Sequence, residues 1–91
     1  MGTNTNALAV GTSNATSSAI AVTTVPLGIL MMGNATPNNG NIGLVQIEDS
    51  AGNFVEIGRL TGQSPFFLAT ASGTYYVQRI AAETAWGVDY T

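Results

Sequence analysis

The chain has 91 residues and only seven charged side chains, two basic and five acidic, for a net charge of −3, and it contains no cysteine, histidine or lysine. That length holds one domain with no second core, and a domain this small often needs a disulfide, a metal or a partner to be stable. The missing cysteines and histidines exclude the first remedy and most of the second, which leaves association.

Met1 to Asn6 is polar and small and reads as a flexible arm, with a single domain expected over residues 7–91. It contains no basic residue, and no apolar run in the chain reaches the ~18 residues of a spanning helix, so neither a leader nor a membrane partner is expected. Ala7 to Val10 is a short apolar run, ended by Gly11-Thr12-Ser13-Asn14. Ser18 to Thr24 is rich in Thr and Val, which favours a strand, with Ile20 and Val22 on one face. Pro26 opens the next strand, Leu27 to Met32, at a position where a missing N–H is tolerated. Residues 33–41 are turn formers and read as a long loop.

The hairpin that follows organises the rest. Val45 and Ile47 lie two apart before Asp49-Ser50-Ala51-Gly52, and Val55 and Ile57 lie two apart after it. A period of two marks one face of a sheet, so all four are expected on the buried side, with Gln46, Glu48 and Glu56 outward. Thr61-Gly62-Gln63-Ser64 is a turn and Phe66 to Thr70 a strand. Thr74 to Ile80 places Tyr75, Val77 and Arg79 on one side and Tyr76, Gln78 and Ile80 on the other. In the last strand Trp86, Val88 and Tyr90 share a face, and Trp86 is the expected core anchor. About eight short strands with turns every 8 to 12 residues predict an all-β fold, an antiparallel β-sandwich whose strand count admits a jelly roll.

Charge is the most unusual property. Charged residues make up 8% of the chain, against about 25% in ordinary soluble domains. All seven follow residue 47, so the first half has no side-chain charge. Lone soluble domains use surface charge, lysine especially, to keep sheet edges from pairing. This chain lacks that device, and its edges are expected to be covered by other copies.

Catalysis finds little to work with. Neither histidine nor lysine is present to activate a nucleophile, and Ser64 stands in Gly-Gln-Ser-Pro-Phe, a turn rather than a nucleophile elbow. Glu48 and Asp49 diverge as strand neighbours; Glu48 and Glu56, facing across the hairpin, are the remaining carboxylate pair for a hydrolase, which ranks last. Asp49 to Asn53 spaces oxygen ligands around a turn, but calcium loops carry more carboxylates. Gly40-Asn41-Ile42-Gly43 has neither the lysine nor the helix of a phosphate cradle. Two arginines against five carboxylates disfavour nucleic acid; Arg59 and Arg79 are expected to pair with Glu48, Glu56 or Glu83. No cofactor is expected. Tyr75 or Tyr76, Trp86 and loop 33–41 keep a carbohydrate-binding reading open.

From about residue 40 onward the chain carries Gly-Leu-Val-Gln-Ile-Glu-Asp-Ser-Ala-Gly-Asn-Phe-Val-Glu-Ile-Gly-Arg-Leu-Thr, then Phe-Phe-Leu-Ala-Thr-Ala-Ser-Gly-Thr-Tyr-Tyr-Val-Gln-Arg. This pattern resembles small tailed-bacteriophage virion structural proteins of the capsid decoration, or cement, type. The resemblance implies a non-enzymatic β-sandwich subunit on the outer surface of the capsid. Its partners would be its own copies, as a homo-oligomer and expectedly a trimer, and the major capsid protein. A tail or baseplate component belongs to the same class. No catalytic residue is transferred. Interaction is expected through Asn4, Thr5 and Asn6 of the arm, Asn38 and Asn39 of the loop, and Arg59, Tyr76 and Arg79.

Overall fold

The computed structural model describes residues 4–33 and 40–91. They form nine strands and no helix: β1 (Thr5–Gly11), β2 (Ala15–Thr16), β3 (Ile20–Val22), β4 (Leu27–Met32), β5 (Ile42–Glu48), β6 (Phe54–Thr61), β7 (Phe66–Ala69), β8 (Gly73–Ala81) and β9 (Trp86–Tyr90). One sheet has the order β1-β9-β4-β7; in the other, β8 pairs with β2 and β3 on one side and β5 on the other, and β6 follows β5. All pairings are antiparallel.

β2 and β3 are one strand interrupted over residues 17–19. The Ser17 N–H donates to Val77 O at 2.8 Å, and its hydroxyl oxygen accepts from Val77 N–H at 2.9 Å. With that strand counted once, the first of eight pairs with the last, the second with the seventh, the third with the sixth and the fourth with the fifth. A long hairpin rolled so that successive strand pairs alternate between two sheets is a jelly-roll sandwich.

The turn between β5 and β6 follows its sequence. Gly52 takes a φ of +83°, and its N–H donates to Asp49 O at 3.1 Å. The Asp49 Oδ1 accepts from Ala51 and Asn53 N–H, both at 2.9 Å. A three-residue connection closed by a left-handed glycine is among the commonest hairpin loops.

The core lies between the inner faces. Ile20, Val22, Val45, Leu60, Tyr75 and Val77 come from one sheet, and Ala7, Ile29, Met31, Ala69, Trp86 and Val88 from the other. Burying a large apolar side chain is worth about 1.5–3 kcal/mol, and Trp86, at 0% exposure, is the largest contributor. Its Nε1–H donates to Ala81 O at 2.9 Å, so the indole carries no unpaired donor inside. The ring lies over Gly43, where an added Cβ would come within 2.5 Å of it.

Two expectations are corrected. Val55 and Ile57 do not share the burial of Val45; they are 45% and 42% exposed, and Ile47 is half-buried. For Ile57 the cause is a β-bulge: Val45 stands opposite Gly58 and Gln46 opposite Glu56, which leaves Ile57 as an inserted residue. Val55 instead keeps the expected face opposite the half-buried Ile47 and is exposed next to the hairpin turn. A bulge breaks the period of two on its strand, and Phe67 of β7 packs over Gly58 in the place an inward Ile57 would have taken. The arm also ends earlier than expected. Thr5 and Asn6 belong to β1, opposite Tyr90 and Asp89. Asn6 Nδ2–H donates to Leu8 O, Val88 O and Asp89 Oδ1 at 3.0, 3.1 and 2.9 Å, which ties them to the sheet.

Candidate interaction surface

The residues expected to make contacts are not gathered in one place. Asn4, Thr5 and Asn6 are exposed at the start of β1. Asn38 and Asn39 lie outside the described residues. Arg59 and Tyr76 share the outer face of the β8-β5-β6 sheet. Arg59 stands opposite Leu44, Gln46 lies between Glu56 and Tyr76, and Phe54 stands opposite Glu48. Tyr76 meets the Phe54 ring edge-on, with centroids 4.8 Å apart. Tyr75 is in the core with Trp86, so two of the aromatics of a sugar-binding face are turned away from solvent.

Arg79 is a correction. It is 4% exposed, and its guanidinium meets backbone carbonyls rather than the expected carboxylates. Nε–H donates to Ser13 O at 2.6 Å, and Nη1–H to Ala9 O at 3.0 Å and Trp86 O at 2.6 Å. A buried charge needs compensation, and three carbonyl dipoles from the loop after β1, from β1 and from β9 supply it. Arg79 therefore joins the two sheets and presents no surface for a partner. Arg59 does find a predicted carboxylate: its Nε–H donates to Glu56 Oε2 at 2.9 Å, an exposed pair on one strand.

The other candidate chemistries resolve into turns and strand faces. The Ser64 N–H is bonded to Thr61 O and Oγ1 at 3.2 and 3.0 Å. Glu48 and Glu56 sit diagonally, each opposite an uncharged residue, rather than face to face. The Asp49 oxygen that a cation would need serves the hairpin. Gly40 N–H donates to Glu83 Oε1 at 3.0 Å, and the buried Asn41 exchanges two bonds with Thr84, Nδ2–H to Oγ1 and N–H to Oδ1, both 3.0 Å. The Gly40–Gly43 stretch thus anchors the loop before β9. Among the described residues there is no cavity, no cluster of three metal-ligating side chains, and no helix long and apolar enough to cross a membrane.

One surface was missed by sequence reasoning. β6 and β7 are the edges of their respective sheets, brought to one flank by Phe67 over Gly58. Phe54, Val55 and Ile57 are exposed on β6, and Phe66 and Leu68 on β7. Phe54 lies on the outer face of its sheet beside Tyr76, and Phe66 and Leu68, opposite Leu30 and Gly28, on the outer face of the other. Phe66, 52% exposed, lies on the outer face over Gly28, where an added Cβ would be 2.8 Å from the ring. The signal was present: in the run Phe66-Phe67-Leu68 alternation forces at least one large apolar residue outward. Exposed apolar residues scattered singly are ordinary, but five on the two strands that edge the sheets make those open edges the candidate interaction surface.

Comparison with protein-family models, with curated proteins and with solved structures finds no match for the chain. Fold and surface together define a jelly-roll β-sandwich with exposed apolar side chains on two open edge strands.

Proposed function

We propose that this protein is a non-enzymatic virion structural subunit of a tailed bacteriophage, which decorates and stabilises the capsid by binding its outer surface as a homo-oligomer. The observation that carries the reading is the open flank. Five large apolar side chains stand about half exposed on two edge strands, in a chain whose charge is only 8% of its residues. A surface of that kind is at home against other protein, where its edges are paired or covered. The jelly roll suits the same role, since it recurs in viral shells, and the hairpin from Ile42 to Leu60 resembles that of phage cement subunits. The major capsid protein is the second partner, and the virion surface the location.

The test is the particle. Virions purified from a phage that encodes this chain should contain it by mass spectrometry, at a stoichiometry set by the shell. Purified protein added to shells lacking it should cosediment with them and raise their resistance to heat. Particles free of the chain, together with shells that do not bind it, would reject the reading.

A further inference from the structure

The exposed edge of β6 carries a charge pattern that matches itself when reversed. Glu56 and Arg59 lie on the same face of the strand, opposite Gln46 and Leu44, with two residues between them. Among the described residues no strand pairs with β6 on the side away from β5. When a second β6 approaches antiparallel about a twofold axis between Ile57 and Gly58, Glu56 falls opposite the partner's Arg59 and Arg59 opposite the partner's Glu56. In the same register Val55 opposes the partner's Leu60, and Phe54 the partner's Thr61. We propose that this edge is the self-association surface: two copies join β6 to β6, with Glu56 and Arg59 exchanging their intrachain pairing for reciprocal pairs across the interface.

Three features favour this edge and this occupant. Charges on a sheet edge normally block pairing because like signs meet, whereas here the antiparallel register sets opposite signs opposite, and opposed cross-strand pairs stabilise a ladder. The contact also draws in Val55 and Ile57, exposed β6 side chains that lie at this edge. The other edges offer less. β7 has four residues and no charge to fix a register. β1 and the β2/β3 strand are tied to each other, with Ser18 N–H and Oγ–H donating to Ala7 O at 2.9 and 3.2 Å. An isologous contact closes at two copies, so the unit in solution is a dimer rather than the trimer that the phage resemblance implies, with one sheet continuous through the pair.

This deepens the proposed function by naming the surface of the homo-oligomer, and it is tested without shells, so that either idea can fail alone. Glu56→Arg and Arg59→Glu are made singly, and sedimentation velocity is run on wild type, on each variant and on their equal mixture. Wild type should be a dimer. Each single variant sets like charges opposite at both positions and should dissociate at concentrations at least ~10-fold higher than wild type. The equal mixture should recover wild-type association as a heterodimer, because one copy then offers two arginines and the other two glutamates. Recovery in the mixture cannot come from the intrachain pair, which both variants have lost. Circular dichroism on each variant checks that the sandwich is intact. A monomeric or trimeric wild type, single variants that associate normally, or a mixture that stays dissociated would overturn the proposal, even if the chain is found in virions.

Discussion

The two flanks of the sandwich are closed by different chemistry. On the flank of β1 and β2/β3 the sheets are joined by polar groups. Ser18 reaches the Ala7 carbonyl, and Arg79 crosses from β8 to the carbonyls of Ala9, Ser13 and Trp86. On the flank of β6 and β7 the sheets meet through Phe67 over Gly58, and five large apolar side chains of these strands are about half exposed. The difference follows from what each flank has to satisfy. Where backbone carbonyls are buried, a donor must come to them, because an unsatisfied buried acceptor costs about 1–3 kcal/mol. Where an edge is open, water satisfies the backbone, and the apolar side chains are the free energy left to gain by association.

The flanks should therefore respond differently to mutation, and the largest effect belongs to the joined one. Arg79→Met keeps an apolar stem of similar length but removes the donors to three carbonyls. A loss of about 3–5 kcal/mol is expected, within the range for breaking a buried charged network, read as a lowered midpoint in urea. A loss below about 1 kcal/mol would mean that water reaches those carbonyls and that the flank is not sealed by Arg79.

Glycine-to-alanine changes sharpen the same contrast. At Gly87 the added Cβ would lie 2.3 Å from Leu8 O and 2.9 Å from Val10 N, main-chain atoms of β1 that cannot move without opening the β1–β9 ladder. At Gly58 it would lie 2.5 Å from Cε1 of Phe67, a ring on the open flank that can turn aside. Gly87→Ala should cost about 3 kcal/mol, at the upper end of overpacking, and Gly58→Ala about 1 kcal/mol. Equal costs in thermal or urea unfolding would remove the distinction between the flanks.

The smallest change in stability should come from the open flank itself. Val55→Thr and Leu68→Thr alter side chains about half exposed, and each should shift the stability of the isolated chain by no more than about 0.5 kcal/mol. Val55→Thr should nonetheless weaken self-association, because its side chain enters the β6 contact. A large loss of monomer stability would show that these residues belong to the core after all.

Much of the fold was legible because it was written locally. Ile20 and Val22, Tyr75 and Val77, and Trp86 and Val88 alternate with outward residues as a period of two requires, and the Asp49–Gly52 turn declares itself through an Asp that bonds backbone N–H groups and a glycine that takes a positive φ. The candidate surface was much less legible. Val55 and Ile57 obey the same alternation as Val45 and Ile47, and nothing near them announces the bulge that takes Ile57 out of register while Val55 keeps its place opposite Ile47. Arg79 looked like Arg59, since each is an arginine on a strand with carboxylates elsewhere in the chain. Only Arg79 lies on an inward face close to three carbonyls.

The amino-acid order alone determined that the chain is all strand, where its turns fall, and that Trp86 anchors the interior, because hydrophobic period and turn chemistry act over a few neighbouring residues. Tertiary structure decided which strands became edges, which apolar side chains stayed in solvent, and which arginine was consumed inside. Those outcomes depend on pairings between residues far apart in the chain, as Arg79 with Ala9 and Phe67 over Gly58, and only the rolled-up sheet order brings such partners together.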